Sequence, residues 1–161
     1  MVRAVVADAG PLIAFGRIGR MDLLPATLGE ILVPHAVLSE CLTEPDKPGA
    51  KAVHEGIARG LLVDAPDPDS PMPPFPMLDA GESAAIRLAL KRSVPVLIDE
   101  KAGRKLAAHL GLTVIGSGGV LLAAKKQGLI DAVGPLLGAM RKTGYYLSDA
   151  LAQAILNRAG E

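Results

Sequence analysis

The stretches VPVLID (residues 94–99) and VRAVVAD (residues 2–8) are short apolar runs that each end on an aspartate, Asp99 and Asp8. Continuous apolar runs of this length are typical of strands buried on both faces of a parallel sheet. The residues after each aspartate favour a sharp turn into a helix. In open α/β sheets, ligands bind at the carboxyl ends of such strands. Two carboxylates at one edge repel each other unless a cation or a proton lies between them, so the pattern predicts a site for a hard metal ion.

Strand-like and helix-like patterns alternate through the rest of the chain. Such alternation predicts an α/β fold with a mostly parallel central sheet of about five strands and helices on both faces. The predicted strands cover residues 3–8, 31–33, 61–64, 95–99 and 113–115. The predicted helices lie near residues 11–17, 20–26, 35–43, 49–59, 80–92, 101–110 and 117–127, and a helical tail over about 130–161 contains two more, near 130–142 and 147–158.

Length and composition favour one domain, residues 1–161, with an aliphatic core. Half of the residues are apolar and the formal net charge is zero, which argues against a strongly basic, non-specific nucleic-acid binder. A single cysteine, Cys41, excludes an internal disulfide framework and a cysteine-rich zinc site. The proline-rich residues 66–76 are interpreted as a surface loop rather than an interdomain linker. The sequence shows neither a signal peptide nor a membrane span, so we expect a cytoplasmic protein.

Two more acids are candidates for the same edge of the sheet. Glu40 lies in a helix after the second predicted strand, and its neighbours Val37 and Cys41 predict a largely buried helix, in which an unpaired carboxylate is costly. Glu82 opens the helix that leads to the fourth predicted strand. The sequence Asp79-Ala-Gly-Glu82 also fits a capping box with Asp79 as the N-cap, so capping is an equal alternative for Glu82.

The strand-end acids have structural alternatives as well. Asp8 is placed to cap the helix that Pro11 opens, and Glu100, beside Asp99, is spaced to pair with Arg104. Together, however, the four acids reach one edge if their strands are adjacent. Oxygen ligands without nearby histidine or cysteine favour Mg²⁺ or Mn²⁺ over zinc, and such an ion indicates phosphoryl transfer or phosphodiester hydrolysis. The four acids are Asp8, Glu40, Glu82 and Asp99.

The order and spacing of the motifs around these acids resemble the PIN-domain ribonucleases. The similarity extends from Arg3 to about Gly128 and is greatest to the branch related to VapC toxins, which carries a Gly-(Thr/Ser)-x-Gly segment. The resemblance implies a Rossmann-like three-layer α/β/α sandwich, an endoribonuclease that depends on Mg²⁺ or Mn²⁺, and often a toxin that an antitoxin neutralises. The motifs are Asp8-x-Gly-Pro-Leu-Ile, Pro34-x-x-Val-x-x-Glu40, Asp79-x-Gly-Glu82-x-x-Ala-Ile86, Leu97-Ile98-Asp99-Glu100 with Arg104, and Gly116-Ser-Gly-Gly119.

The resemblance also implies roles for individual residues. Glu100 is an alternative ligand, because the alignment across this turn is ambiguous by one residue. Ser117 matches a hydroxyl that lies beside the acids in relatives, although it is also placed to cap the helix from Gly118 onward. The catalytic and metal-binding acids implied by the motifs are Asp8, Glu40, Glu82 and Asp99.

RNA is the expected substrate, and an antitoxin and a second copy of the chain are expected partners through the same resemblance. Because only 2% of the residues are aromatic, base stacking is a weak candidate for recognition, and phosphate contacts and shape are expected to dominate. The cations beside the predicted cleft are Arg17, Arg20, Arg104 and Lys105. The aromatic residues are Phe15, Phe75, Tyr145 and Tyr146.

Three other functions fit the sequence less well. The segment Gly116-Ser-Gly-Gly119 before a helix is compatible with nucleotide binding, but it lacks the lysine of a P-loop and the spacing of a dinucleotide fingerprint. A phosphoaspartate enzyme is disfavoured because Asp8 stands without a second aspartate in an Asp-x-Asp motif. A catalytically inactive PIN-like RNA-binding or scaffold module is the main alternative, and the retention of all four acids argues against it.

Overall fold

The computed structural model describes residues 3–69 and 75–161. Its centre is a five-stranded sheet of order β3-β2-β1-β4-β5, in which every neighbouring pair is parallel, so the predicted α/β fold and the five predicted strands are confirmed. The strands are β1 (Ala4–Ala7), β2 (Glu30–Pro34), β3 (Val63–Ala65), β4 (Val96–Leu97) and β5 (Val114–Ile115).

Helices follow the strands as the alternating pattern predicts. They lie at the expected positions, and their ends differ from the predicted ones by a few residues. The largest difference is in the helix predicted near 130–142, which starts four residues later, at Gly134. The helices of the described residues are α1 (Ala9–Arg17), α2 (Leu23–Leu28), α3 (His35–Cys41), α4 (Pro48–Ala58), α5 (Ala80–Arg92), α6 (Lys101–His109), α7 (Ser117–Lys126), α8 (Gly134–Lys142) and α9 (Asp149–Arg158).

Both faces of the sheet are covered at its centre. Successive residues of a strand point to opposite faces, yet Val5, Val6 and Ala7 are all at most 3% exposed. The same holds for the successive residues 96–98 of β4 and the segment that follows it. Continuous apolar runs therefore form these strands because helices cover both sides of a parallel sheet.

The strand order places a switch in chain direction beside β1. The chain runs outward from β1 through β2 to β3, then crosses through α5 to β4 and β5 on the other side. Ala7 is in register with Leu97, and the backbone N–H of Asp8 donates to the carbonyl of Leu97 at 2.9 Å. Crevices at such switch points are where doubly wound sheets bind ligands.

The proline-rich segment is irregular where it is described. Residues 66–69 and 75–76 contain no helix or strand, and residues 70–74 of the predicted surface loop lie outside the described residues. Asp67 Oδ1 accepts a hydrogen bond of 3.0 Å from the backbone N–H of Ala36, which ties this loop to the start of α3. In the described part of the chain, no helix is both long and apolar enough to cross a membrane.

Candidate active site

Asp8 is the buried acid at the end of the central strand. Its side chain is 6% exposed, and Oδ1 has no hydrogen-bond partner. Asp8 stands at the N-cap position of α1 but makes no capping hydrogen bond with its side chain, so the capping alternative is wrong. The pKa of Asp8 is raised to about 7, mainly because the carboxyl is buried. A hydrogen bond from the backbone of Ala9 lowers the pKa, and the charges of Glu40, Asp79 and Asp99 raise it.

Glu40 reaches the same edge from the last turn of α3. The prediction of a largely buried helix is wrong for this residue: Val37 and Cys41 are buried, whereas Glu40 itself is exposed. Its Oε2 lies so close to Gly81 in the first turn of α5 that a Cβ there would collide with it. Partial burial and then the charge of Asp79 raise the pKa of Glu40. Glu40 therefore lies at the same edge of the sheet as Asp8, although its side chain is largely exposed to solvent.

Asp79 and Glu82 form the predicted cap of α5. Asp79 Oδ1 accepts a 2.8 Å hydrogen bond from the backbone N–H of Glu82. Only the backbone of Glu82 takes part in this cap, and its side-chain Oε2 is buried without a hydrogen-bond partner. Burial raises the pKa of Glu82, and a hydrogen bond to the Asp79 side chain and the charges of Asp79 and Asp8 raise it further. Asp79, interpreted from the sequence only as a cap, thus also contributes a negative charge at this edge of the sheet. We call the edge with Asp8, Glu40, Asp79, Glu82 and Asp99 the acidic edge.

Asp99 is held by Ser117, the first residue of α7. The Ser117 backbone N–H donates to Asp99 Oδ1 at 2.8 Å, and the Ser117 hydroxyl donates to Oδ2 at 2.5 Å. Ser117 is 0% exposed and is the first residue of α7, whereas Gly116 occupies the N-cap position. The alternative that Ser117 caps the helix is therefore wrong. A Cβ on Gly116 would lie 3.2 Å from Asp99 Oδ1 and 2.6 Å from a guanidinium nitrogen of Arg104, so this approach needs a glycine.

Tyr145 also interacts with Asp99, a neighbour that none of the sequence motifs predicts. It lies in the loop between α8 and α9, is partly buried, and its hydroxyl interacts with the Asp99 carboxylate and with Ser117. Burial raises the pKa of the Tyr145 hydroxyl, and its interactions with the Asp99 carboxylate raise it further. Asp99 is thereby fixed from two separate elements.

Glu100 and Arg104 do not form the predicted pair. Glu100 Oε2 accepts a 2.8 Å hydrogen bond from the backbone N–H of Gly103 and caps α6, and this bond lowers its pKa. Arg104 Nη1 donates instead to the carbonyl of Ile98 at 2.8 Å. Glu100 therefore caps α6, and its side chain also interacts with that of Glu82, so it lies beside the other acids together with Asp99.

The side chains predicted to bind the RNA backbone have different hydrogen-bond and ion-pair partners. Arg17 Nη1 donates to the carbonyl of Thr143 at 3.0 Å, on the side of α1 that faces the loop between α8 and α9. Arg20 is paired with Asp22 at 3.1 Å. Lys105 is exposed on α6. Of these side chains, Arg17 lines a cleft that also contains Glu40.

The acids lie at one edge of the sheet, but their side chains are not arranged as a preformed metal site in the described residues. In residues 3–69 and 75–161, no group of three or more His, Cys, Asp or Glu side chains is arranged to hold a metal ion between them. Asp99 is turned towards Ser117, and Glu82 interacts with Asp79. The donor set nonetheless fits a divalent cation chemically, because it consists of oxygens and two of them, Asp8 Oδ1 and Glu82 Oε2, are buried with no hydrogen-bond donor.

These features define a class: a doubly wound α/β protein with acids converging on the switch point of its sheet. A family model described as a PIN domain matches residues 4–161. The chain therefore belongs to the PIN-domain family, whose members are generally nucleases that use divalent metal ions. No curated protein matches the sequence.

A similar solved structure agrees with this fold. It is a PilT N-terminus domain protein from the hyperthermophilic archaeon Sulfolobus solfataricus P2, with a TM-score of 0.56 and 20% sequence identity. The alignment covers 75% of this chain and 92% of that chain. At this identity the likeness shows the shared fold.

Proposed function

We propose that this chain is an endoribonuclease that depends on Mg²⁺ or Mn²⁺ and hydrolyses phosphodiester bonds of RNA. The observation that carries the proposal is Asp8, a buried carboxylate with an unpartnered oxygen at the switch point, whose pKa is raised by burial and by three neighbouring acids. A folded protein keeps such an unfavourable charge where a cation neutralises it in the working state. Membership of a family of nucleases supports the reaction class.

Four residues would hold the ion or ions: Asp8, Glu40, Glu82 and Asp99. A bound divalent ion supplies a Lewis acid that offsets charge on the phosphate and increases the acidity of water. The protein's own part is orientation. Ser117 and Tyr145 fix Asp99, and Gly81 leaves room for the Glu40 carboxylate beside α5. Oriented acids at a rigid sheet edge bind a cation with less reorganisation than free side chains would.

Cleavage of an RNA panel tests this proposal. Single-stranded and structured RNAs are incubated with Mg²⁺, with Mn²⁺ and with EDTA, using wild type and Asp8→Asn. Asp131→Asn, an exposed aspartate in the loop between α7 and α8, is the matched control. We expect cutting that requires the metal, is lost in Asp8→Asn and is retained in Asp131→Asn. Equal trace cutting by wild type and Asp8→Asn would mean a contaminant and would favour an inactive PIN-like RNA-binding or scaffold module.

We extend the proposal to the toxin component of a toxin–antitoxin pair, on the resemblance of the sequence motifs to the branch related to VapC toxins. In that role, induced expression arrests growth, and the arrest needs Asp8. Normal growth on expression of an active wild-type nuclease would reject the toxin role and leave the nuclease intact. An antitoxin is expected to block cleavage when added in equal amount, and sedimentation tests the proposed homodimer.

A further inference from the structure

A cleft of about 360 Å³ opens from the acidic edge along α1. It begins at Ala9, directly after Asp8, and Glu40 forms part of its wall. The opposite wall is the loop between α8 and α9, including Tyr145 and Tyr146. Its size lies within the range of small-molecule sites. An RNA whose phosphate lies at the acids would therefore have its neighbouring nucleotide beside this cleft.

The loop that forms the wall is held in one shape. Arg17 Nη1 donates to the carbonyl of Thr143 at 3.0 Å. Gly144 adopts φ +106°, and a Cβ there would meet Arg17 Nη1 at 3.1 Å, so a glycine is required both for the backbone and for the contact. The backbone N–H of the next residue, Tyr145, donates to the carbonyl of Met140 at 3.0 Å. The following side chain is consequently presented from an ordered backbone, although it lies on the surface.

That side chain is Tyr146, which is 90% exposed. Of the four aromatic residues, all within the described ranges, Phe15 is fully buried and both Phe75 and Tyr145 are partly buried. The low aromatic content is therefore a poor guide to recognition here, because an exposed aromatic ring stands at the rim of the cleft. A ring carried by an ordered backbone offers a stacking surface to an unpaired base, and stacking contributes about 1–3 kcal/mol per base in single-strand binding.

We propose that this cleft binds the nucleotide adjacent to the scissile phosphate of a single-stranded RNA, with its base stacked on Tyr146 and its backbone phosphate contacting Arg17. The inference rests on the proposed function and names the substrate form that the site takes. The Arg17 guanidinium in the cleft complements a phosphate, and Glu40 lies in the cleft wall where it meets the acids. A base-paired nucleotide has its faces already stacked, so we expect a duplex to bind less tightly.

Tyrosine fluorescence gives a direct readout, because the chain has two tyrosines and no tryptophan. Binding of a short single-stranded RNA is followed in the Asp8→Asn background, in which the RNA is not cut. We expect quenching on binding in the parent. The affinities of the variants are measured by the fluorescence anisotropy of an end-labelled RNA, because both variants lack the reporting tyrosine. We expect an affinity about 5- to 100-fold lower in Tyr146→Leu and close to the parent in Tyr146→Phe, which keeps the ring. The same RNA annealed to its complement is expected to bind more weakly.

Filling the cleft gives an independent test. Gly10 lines the cleft within α1, and a Cβ there meets no atom within 4 Å, so the backbone accepts a side chain and Gly10→Leu adds bulk to the cleft. Gly138, in the middle of α8, also has no atom within 4 Å of a built Cβ and does not line the cleft, so Gly138→Leu is the matched control. We expect Gly10→Leu to weaken RNA binding and Gly138→Leu to leave it unchanged.

The outcomes separate this inference from the proposed function. Cleavage that requires Asp8 but is unchanged in KM by Tyr146→Leu and by Gly10→Leu would overturn the cleft proposal and leave the nuclease standing. Equal losses in Tyr146→Phe and Tyr146→Leu would overturn stacking. Binding that depends on Tyr146 in a protein that cuts no RNA with any metal would support the cleft and reject the nuclease.

Discussion

Replacing Asp8 by asparagine is expected to stabilise the metal-free protein at neutral and alkaline pH. The aspartate is 6% exposed, and its pKa is raised from 3.8 to about 7, first by burial and then by the charges of the neighbouring acids. Between these two pH values the folded protein binds more protons than the unfolded chain. Its stability therefore falls as the pH rises through this window and stays reduced above pH 7. Asparagine keeps the shape of the side chain and removes the charge.

The size of the effect follows from the two pKa values. A difference of one in pKa corresponds to about 1.4 kcal/mol, so moving from 3.8 to about 7 corresponds to about 4 kcal/mol once the acid is fully ionised. Local relaxation and water entry reduce such costs, which gives an expected gain of about 2–4 kcal/mol for Asp8→Asn at pH 8. At pH 5 the folded protein is still protonated at this site, and the gain is expected to fall to about half or less.

Urea unfolding followed by far-UV circular dichroism measures this gain. Wild type, Asp8→Asn and the control Asp131→Asn are unfolded in EDTA at pH 5 and at pH 8. We expect Asp131→Asn to match wild type at both values. Added Mn²⁺ should raise the stability of wild type and leave Asp8→Asn unchanged. Equal or lower stability of Asp8→Asn than of wild type at pH 8 would refute the reasoning that burial of this charge is a cost.

Three further substitutions test the geometry of the edge. Gly81→Ala would push the flexible Glu40 carboxylate aside, so we expect stability within about 1 kcal/mol of wild type and cleavage lowered about 100-fold; unchanged cleavage would remove Glu40 from the site. Ser117→Ala removes a buried donor to Asp99, with an expected loss of about 1–3 kcal/mol in urea unfolding and about 10- to 100-fold in cleavage; wild-type stability and cleavage would contradict that role. Glu100→Ala removes a helix cap and should cost about 0.5–2 kcal/mol with normal cleavage per folded molecule; lost cleavage would make Glu100 a ligand.

The sequence was informative wherever the determinant is local. Buried strands are continuous apolar runs, and parallel strands bring their carboxyl ends together, so Asp8 and Asp99 could be assigned to one edge before any coordinates. The cap formed by Asp79 and Glu82 is equally local, because its spacing of three residues is a property of the first helical turn.

Contacts made by tertiary packing were not predictable in the same way. Ser117 had a local alternative as a helix cap, and whether it caps α7 or contacts Asp99 depends on how closely the start of α7 approaches the turn after β4. Tyr145 reaches Asp99 because the loop after α8 is held against α1 by Arg17, and no sequence spacing encodes that approach. For Glu40, apolar neighbours indicated burial, but they mark only the inner face of α3.

The most direct test of the central claim, that the acidic edge uses a divalent ion to cut RNA, is the single-turnover cleavage rate of one RNA measured against Mn²⁺ concentration. The comparison is between wild type and Asp8→Asn at pH 7.5, with Asp131→Asn as the control. The account predicts a rate that rises to saturation in wild type and in the control, and that stays at the uncatalysed level in Asp8→Asn. A rate independent of Mn²⁺, or one that saturates equally in Asp8→Asn, would contradict it.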